Sequence, residues 1–168
     1  MISFIIPTYN ESNYIQHTLT KLIEIIDDQD EVIVVDGNSE DKTVKLASTF
    51  TNVNIIENCD KGRAVQMNKG AETAKNNYLL FLHADTTLVK QGLQTLKSAI
   101  EKNNIDWGWF RLRFDSGKYI YRILEKLAEF RNDLIQEPVG DHGIFVKKSL
   151  FNQVNGYPEV ALMEDVEL

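Results

Sequence analysis

The sequence predicts an α/β fold, a mostly parallel sheet with helices on both faces and a small antiparallel part near the C-terminus. Two patterns in the first half carry this. Short β-branched apolar runs alternate with helical patterns four times over, and the runs are apolar on both faces, as strands covered from both sides must be. Crossovers in such a sheet are right-handed. The 168 residues contain no repeat, linker or low-complexity tract, so one domain is expected.

The elements follow in order. ISFIIP (Ile2 to Pro7) is an apolar run closed by proline, the first strand. Ile15, Leu19, Leu22, Ile23 and Ile26 then fall on one helical face. EVIVVD (Glu31 to Asp36) is the second strand, and Glu40 and Asp41 are expected to open a helix with acids in its first turn. NVNIIE (Asn52 to Glu57) is the third strand, followed by a helix from about Gly62 to Lys75. Tyr78 to Leu82 is the fourth strand, and Val89, Leu93, Leu96 and Ile100 mark the helix after it. Beyond, DWGWFRLRF (Asp106 to Phe114) reads as an antiparallel or half-exposed strand. Ile120, Ile123, Leu124 and Leu127 mark a helix, and GDHGIFVKK (Gly140 to Lys148) reads as a turn and a strand. The sequence stops at MEDVEL in what reads as the first turn of a helix without a stop signal, so a fragment or a missing tail is expected.

The totals narrow the function classes. A net charge of −7 argues against nucleic acid as a whole-surface partner. The single cysteine, Cys59, excludes an internal disulfide framework and a multi-cysteine metal site, and fits a reduced, cytoplasmic setting. No apolar stretch approaches the roughly 18 residues of a membrane span. The IYRILEKLAEF helix (Ile120 to Phe130) either touches a membrane surface or turns a stripe to the core.

Ligands of parallel sheets bind outside the carboxyl ends of the strands. Here those ends read PTYNES, DGNSED, NCDKGR and HADTT, and deliver Tyr9, Asn10, Asp36, Asn38, Lys61, Arg63, His83 and Asp85 to one edge. The first turn lacks the glycines of a dinucleotide fingerprint, and no phosphate-binding P-loop occurs. A nucleotide would therefore be held by side chains. Tyr9 suits a base, Asp36 a base N–H or ribose hydroxyl, and Lys61 and Arg63 a diphosphate. Asp85 would face phosphate through a divalent metal, Mn²⁺ or Mg²⁺. Each residue has a plainer role as well. Tyr9 packs, Asn10, Asp36 and Asp85 cap turns and helices, and His83 bonds locally.

Six segments, IIPTYNE, VVDGNSEDKT, KGRAVQMNKGAE, LLFLHADT, GDHGIFVKK and LMEDVEL, occur in an order and spacing that resembles a family 2 glycosyltransferase of the GT-A fold. The likeness is greatest to a bacterial branch with His-Ala-Asp and Met-Glu-Asp motifs. The resemblance implies a Rossmann-like nucleotide-binding half, residues 1–87, and an acceptor and catalytic half, residues 88–168, incomplete at its end. It implies that Pro7, Thr8, Tyr9 and Glu11 bind the nucleotide, with Asp36, Lys61, Arg63 and Ala84. HADT stands in the place of the Asp-x-Asp motif, so Asp85 would bind metal, with His83 where an acid is usual. Gly140, Asp141 and His142 would line the acceptor pocket. Asp165 would be the general base and Glu164 would help place donor or acceptor. The implied reaction moves a sugar from a nucleoside diphosphate to a hydroxyl, saccharide or lipid-linked, with inversion. The alternative is a catalytically incomplete nucleotide-sugar-binding or regulatory module of the same fold.

Overall fold

A computed structural model describes residues 1–110 and 143–158. The chain runs β1 (Ile2–Thr8), α1 (Ile15–Ile23), β2 (Glu31–Asp36), α2 (Thr43–Ala47), β3 (Val53–Ile56), α3 (Arg63–Thr73), β4 (Tyr78–Phe81) and α4 (Lys90–Asn103). Then follow β5 (Trp107–Trp109), β6 (Ile144–Lys147) and α5 (Lys148–Gln153).

The strands form one sheet in the order β3-β2-β1-β4-β6-β5. β1 pairs in parallel with β2 and β4, and β2 with β3, whereas β6 runs antiparallel to β4 and β5. The expected parallel sheet with an antiparallel C-terminal part is what forms. The strand order reverses at β1, with β2 and β3 built outward on one side and β4 on the other. The carboxyl ends of β1 and β4 therefore flank a topological switch point, where open α/β sheets leave a crevice.

The period of two in each strand sorts the core into two layers. Ile2, Phe4 and Ile6 of β1, with Val32, Val34 and Leu80, meet Ile15, Leu19 and Leu22 of α1 and Leu93 and Leu96 of α4. The alternate residues Ile5, Ile33, Val35, Leu79 and Phe81 meet Ala64, Met67 and Ala71 of α3 and Phe151 of α5. Both faces are covered, which is why the runs carry no polar alternation. Small residues let α3 sit close to the sheet, and a Cβ at Gly70 would overlap the Ile5 side chain.

Three boundaries differ from expectation. α2 begins at Thr43, so Glu40 and Asp41 lie ahead of it rather than in its first turn. The reason is local: Asp41 Oδ1 accepts the Thr43 N–H at 2.8 Å, closing a turn before the helix. α1 ends at Ile23, and Ile25 and Ile26 reach the core from beyond it. Val89 is exposed, because it caps α4 in an extended conformation instead of joining its buried stripe. The helix expected around Ile120 to Leu127, the end of the Asp106–Phe114 strand and the turn at Gly140 lie outside the described residues. Among the described residues no helix is long and apolar enough to cross a membrane.

Candidate functional site

Three parallel strands leave the sheet in the same way. Asn10, Asn38 and Asn58 each stand two residues past the end of β1, β2 and β3, with φ of 58°, 63° and 59°. Asparagine is among the few residues that enter this left-handed region readily. Each turn brings its loop against the next. The Asn10 N–H donates to Ser39 Oγ at 2.9 Å, and the Glu40 N–H donates to Asn10 Oδ1 at 2.9 Å. The Glu11 N–H donates to Thr43 Oγ1 at 2.7 Å and the Ser12 N–H to Asp41 Oδ2 at 3.1 Å. Farther along, Asn38 Nδ2 donates to the Cys59 carbonyl at 3.1 Å, and the Cys59 N–H to the Asp36 carbonyl at 3.2 Å. The loops after β1, β2 and β3 are thus one hydrogen-bonded rim. Its signal in the sequence is an asparagine at a constant offset after each strand.

Asp41 is held ionised by this rim. Burial opposes its ionisation, but the hydrogen bonds from Thr43 and Ser12 outweigh it and hold the carboxyl at about 2. Asp36 is also engaged within the chain. Its Oδ1 accepts from the Thr8 hydroxyl at 3.1 Å and the Ser39 hydroxyl at 2.5 Å, and its Oδ2 from the Ser39 N–H at 2.7 Å. Only 2% of Asp36 is exposed, so a ligand meets at most its one remaining lone pair. Asp36 is an organiser of the rim in addition to any contact with a base or ribose.

Gln66, which the sequence reading passed over, ties α3 to this edge. Its Nε2 donates to the carbonyls of Thr8 at 2.7 Å and Val35 at 2.8 Å, the ends of adjacent strands. The side chain is buried. A glutamine on an otherwise apolar helix face, four residues before Gly70, was the available signal.

Two residues named for a nucleotide come together. The Lys61 ammonium lies 3.7 Å from the centroid of the Tyr9 ring, a cation–π contact between the loops after β1 and β3. Arg63 is the first residue of α3, on the same edge.

Across the switch point, β4 ends in a tight turn. The Thr18 hydroxyl donates to the Ala84 carbonyl at 2.5 Å, and the Thr86 N–H to the His83 carbonyl at 3.1 Å. Ala84 is buried, and Asp85 is turned out to solvent. Glu11, from the β1 loop, is near enough to feel its charge. Burial pushes the Glu11 carboxyl up, and the charges of Asp85 and Asp41 add to the effect. Among the described residues no three His, Cys, Asp or Glu side chains are grouped to hold a metal by themselves. A hard divalent cation takes one or two carboxylates and draws its other oxygens from phosphates and water. Asp85, an exposed oxygen donor whose negative field reaches a second carboxylate, fits that demand. Gly140, Asp141, His142, Glu164 and Asp165 lie outside the described residues.

A polar rim at the carboxyl edge of a mostly parallel, six-stranded sheet with a topological switch point places the chain in the open α/β class. Residues 3–154 match the model of glycosyl transferase family 2, and the chain belongs to that family. It is 28% identical over its whole length to an uncharacterized glycosyltransferase of Haemophilus influenzae, of which it spans 54%. Among solved structures it resembles Staphylococcus aureus TarS 1-349 in complex with UDP, with a TM-score of 0.78 and 20% identity over 98% of this chain and 52% of that one. It also resembles the Pyrobaculum calidifontis mannosyltransferase PcManGT in complex with GDP-Man and Mn²⁺, with a TM-score of 0.71 and 19% identity over 98% of this chain and 49% of the other. The fold is GT-A. The chain spans about half the length of these relatives.

Proposed function

We propose that residues 1–87 bind a nucleoside diphosphate sugar at the carboxyl edge of β1 to β4. In this reading residues 88–168 belong to the acceptor and catalytic half of a glycosyltransferase of the branch with His-Ala-Asp and Met-Glu-Asp motifs. The observation that carries the reading is the pairing across the switch point. An aromatic ring with a cation, Tyr9 and Lys61, stands on the β1 side with the Glu11 carboxylate, and Asp85 stands on the β4 side, its charge reaching Glu11. Base, diphosphate and metal each find a chemically matched partner within one rim.

The roles proposed are those the resemblance implies. Tyr9 stacks on the base, and Pro7, Thr8, Glu11 and Ala84 shape the floor. Asp36 contributes its remaining lone pair to the base or ribose. Lys61 and Arg63 offset diphosphate charge as the leaving group departs. Asp85, beside His83, would hold Mn²⁺ or Mg²⁺, which supplies positive charge next to the diphosphate. The resemblance assigns Asp165 to take the proton of the acceptor hydroxyl from the face opposite the leaving group, with Glu164 placing the reactants. The resemblance also assigns Gly140, Asp141 and His142 to the acceptor pocket, for a saccharide or lipid-linked hydroxyl. One base and no nucleophile gives single displacement and inversion.

Calorimetry with UDP and GDP tests the binding half. Affinity should fall at least tenfold when Mn²⁺ is replaced by EDTA, and Asp85→Asn should remove that difference. Equal affinity with metal and with EDTA in the wild type would dismiss the role of Asp85. In an actively transferring protein, Asp165→Asn should abolish turnover and leave donor binding intact.

A further inference from the structure

The nucleotide reading leaves Tyr9 with two claimants. A base needs a ring face to stack on, yet Lys61 already lies against the ring, 3.7 Å from its centroid. The tether is short: Lys61 sits in the loop between β3 and α3, two residues before Arg63 opens α3. The loop is anchored just upstream, where Cys59 bonds to Asp36 and Asn38. The anchored backbone leaves the Lys61 side chain to choose its partner.

Two partners are chemically possible for its ammonium. One is the Tyr9 ring, a contact that at an exposed site is worth about a two- to fivefold bias in an equilibrium. The other is a diphosphate on the same edge, a full opposite charge. A base stacking on an aromatic ring gains about fivefold to more than a hundredfold. The base therefore outcompetes the ammonium for the ring, and the diphosphate that arrives with it offers the ammonium a stronger partner.

We propose that Lys61 is a ligand-exchanged placeholder. It covers the Tyr9 ring when no donor is bound and transfers to the diphosphate when a base takes the ring. The consequence is selectivity for an intact nucleoside diphosphate. A nucleoside alone must displace Lys61 without giving its charge a new partner, so it is disfavoured. A nucleoside diphosphate is favoured twice. The proposal rests on the nucleotide-site reading above and adds to it a discriminating role for Lys61.

The test is calorimetry of the 168-residue chain, with Mn²⁺ present throughout, with uridine, guanosine, UDP and GDP, in the wild type, Lys61→Gln and Lys61→Arg. Lys61 is exposed, so neither change threatens the fold. In Lys61→Gln the nucleoside should bind about two- to fivefold more tightly, the reverse of the ring contact's bias. The diphosphate should bind more weakly and with less dependence on salt. Lys61→Arg should keep the wild-type discrimination. Should Lys61→Gln weaken nucleoside and diphosphate alike, Lys61 stays on the ring as a fixed wall, and the exchange is wrong. Unchanged affinities for both would also overturn it. If none of the four compounds binds the wild type, the nucleotide-site reading itself fails and takes this inference with it.

Discussion

Gln66 on α3 donates a hydrogen bond to the carbonyl of Thr8 at 2.7 Å, and the same nitrogen reaches Val35 at 2.8 Å. A single amide thus joins the ends of β1 and β2 to the helix behind them. Gln66→Leu keeps the bulk and removes the donor. The Thr8 carbonyl keeps a second partner in the Gly37 N–H, and the Val35 carbonyl lies 3.4 Å from the Thr8 hydroxyl, whose one proton is shared with Asp36. The cost should therefore be that of ordinary buried hydrogen bonds, about 1–2 kcal/mol. Urea unfolding should show a lower midpoint with an unchanged slope. A loss below about 0.5 kcal/mol, the range of ordinary surface changes, would deny Gln66 this role.

Asp36 makes a sharper case, because a purely ligand-binding acid and an organising one behave differently. Its carboxylate accepts from Thr8 and from two donors of Ser39. In Asp36→Asn an amide nitrogen must face one set of donors, and the charge that strengthens the remaining bonds is gone. Stability should fall by about 1–3 kcal/mol, and nucleotide affinity should fall with it. Full wild-type stability with lost affinity would mean that Asp36 serves the ligand alone.

Asp41 predicts a pH window. Its carboxyl is held at about 2, below the ordinary 3.8, by Thr43 and Ser12 against the opposing effect of burial. A carboxyl with a lowered folded value stabilises the fold above its unfolded value. That contribution is lost as pH falls from 3.8 toward about 2. Solvent exposure keeps it small. Wild type should lose stability across this window faster than Asp41→Asn, with parallel curves above it. Parallel curves throughout would leave Asp41 without the hydrogen bonds described.

The architecture was legible because it follows from periodicity. Runs apolar on both faces can only be covered strands, and the helix between each pair forces parallel pairing. The site was legible as a set of strand ends, since topology alone sends Tyr9, Asp36, Lys61 and Asp85 to one edge. What stayed hidden was which polar group spends itself on another. Sequence spacing does not reveal that Asp36 is consumed by Ser39, three residues on, together with Thr8, which only the β1–β2 pairing brings close. Nor does it place Lys61 on Tyr9, fifty-two residues away in the chain. Gln66 was missed because a buried amide on a helix has no periodic signature. The helix opening at Asp41 was misplaced because an aspartate that closes a turn ahead of a helix and one that enters its first turn look the same in sequence.

Gly70 links packing to the site, and yields the last prediction. A Cβ there would overlap Ile5 Cγ2 and lie 3.2 Å from Val35 Cγ2. Alanine improves helix propensity by up to about 1 kcal/mol. Overpacking a closely fitted core costs about 1–3 kcal/mol, so Gly70→Ala should be net destabilising. The helix must move outward or Ile5 must leave its rotamer. Gln66 lies one turn before Gly70 on the same face of α3, so an outward shift lengthens its bonds to Thr8 and Val35. Gly70→Ala should therefore weaken UDP or GDP binding although Gly70 touches neither loop. Ile5→Ala removes the overlapping methyl, so the double variant should lose less stability than the sum of the two singles, by at least about 0.5 kcal/mol. Additive losses with unaltered nucleotide affinity would show that α3 does not transmit this contact to the strand ends.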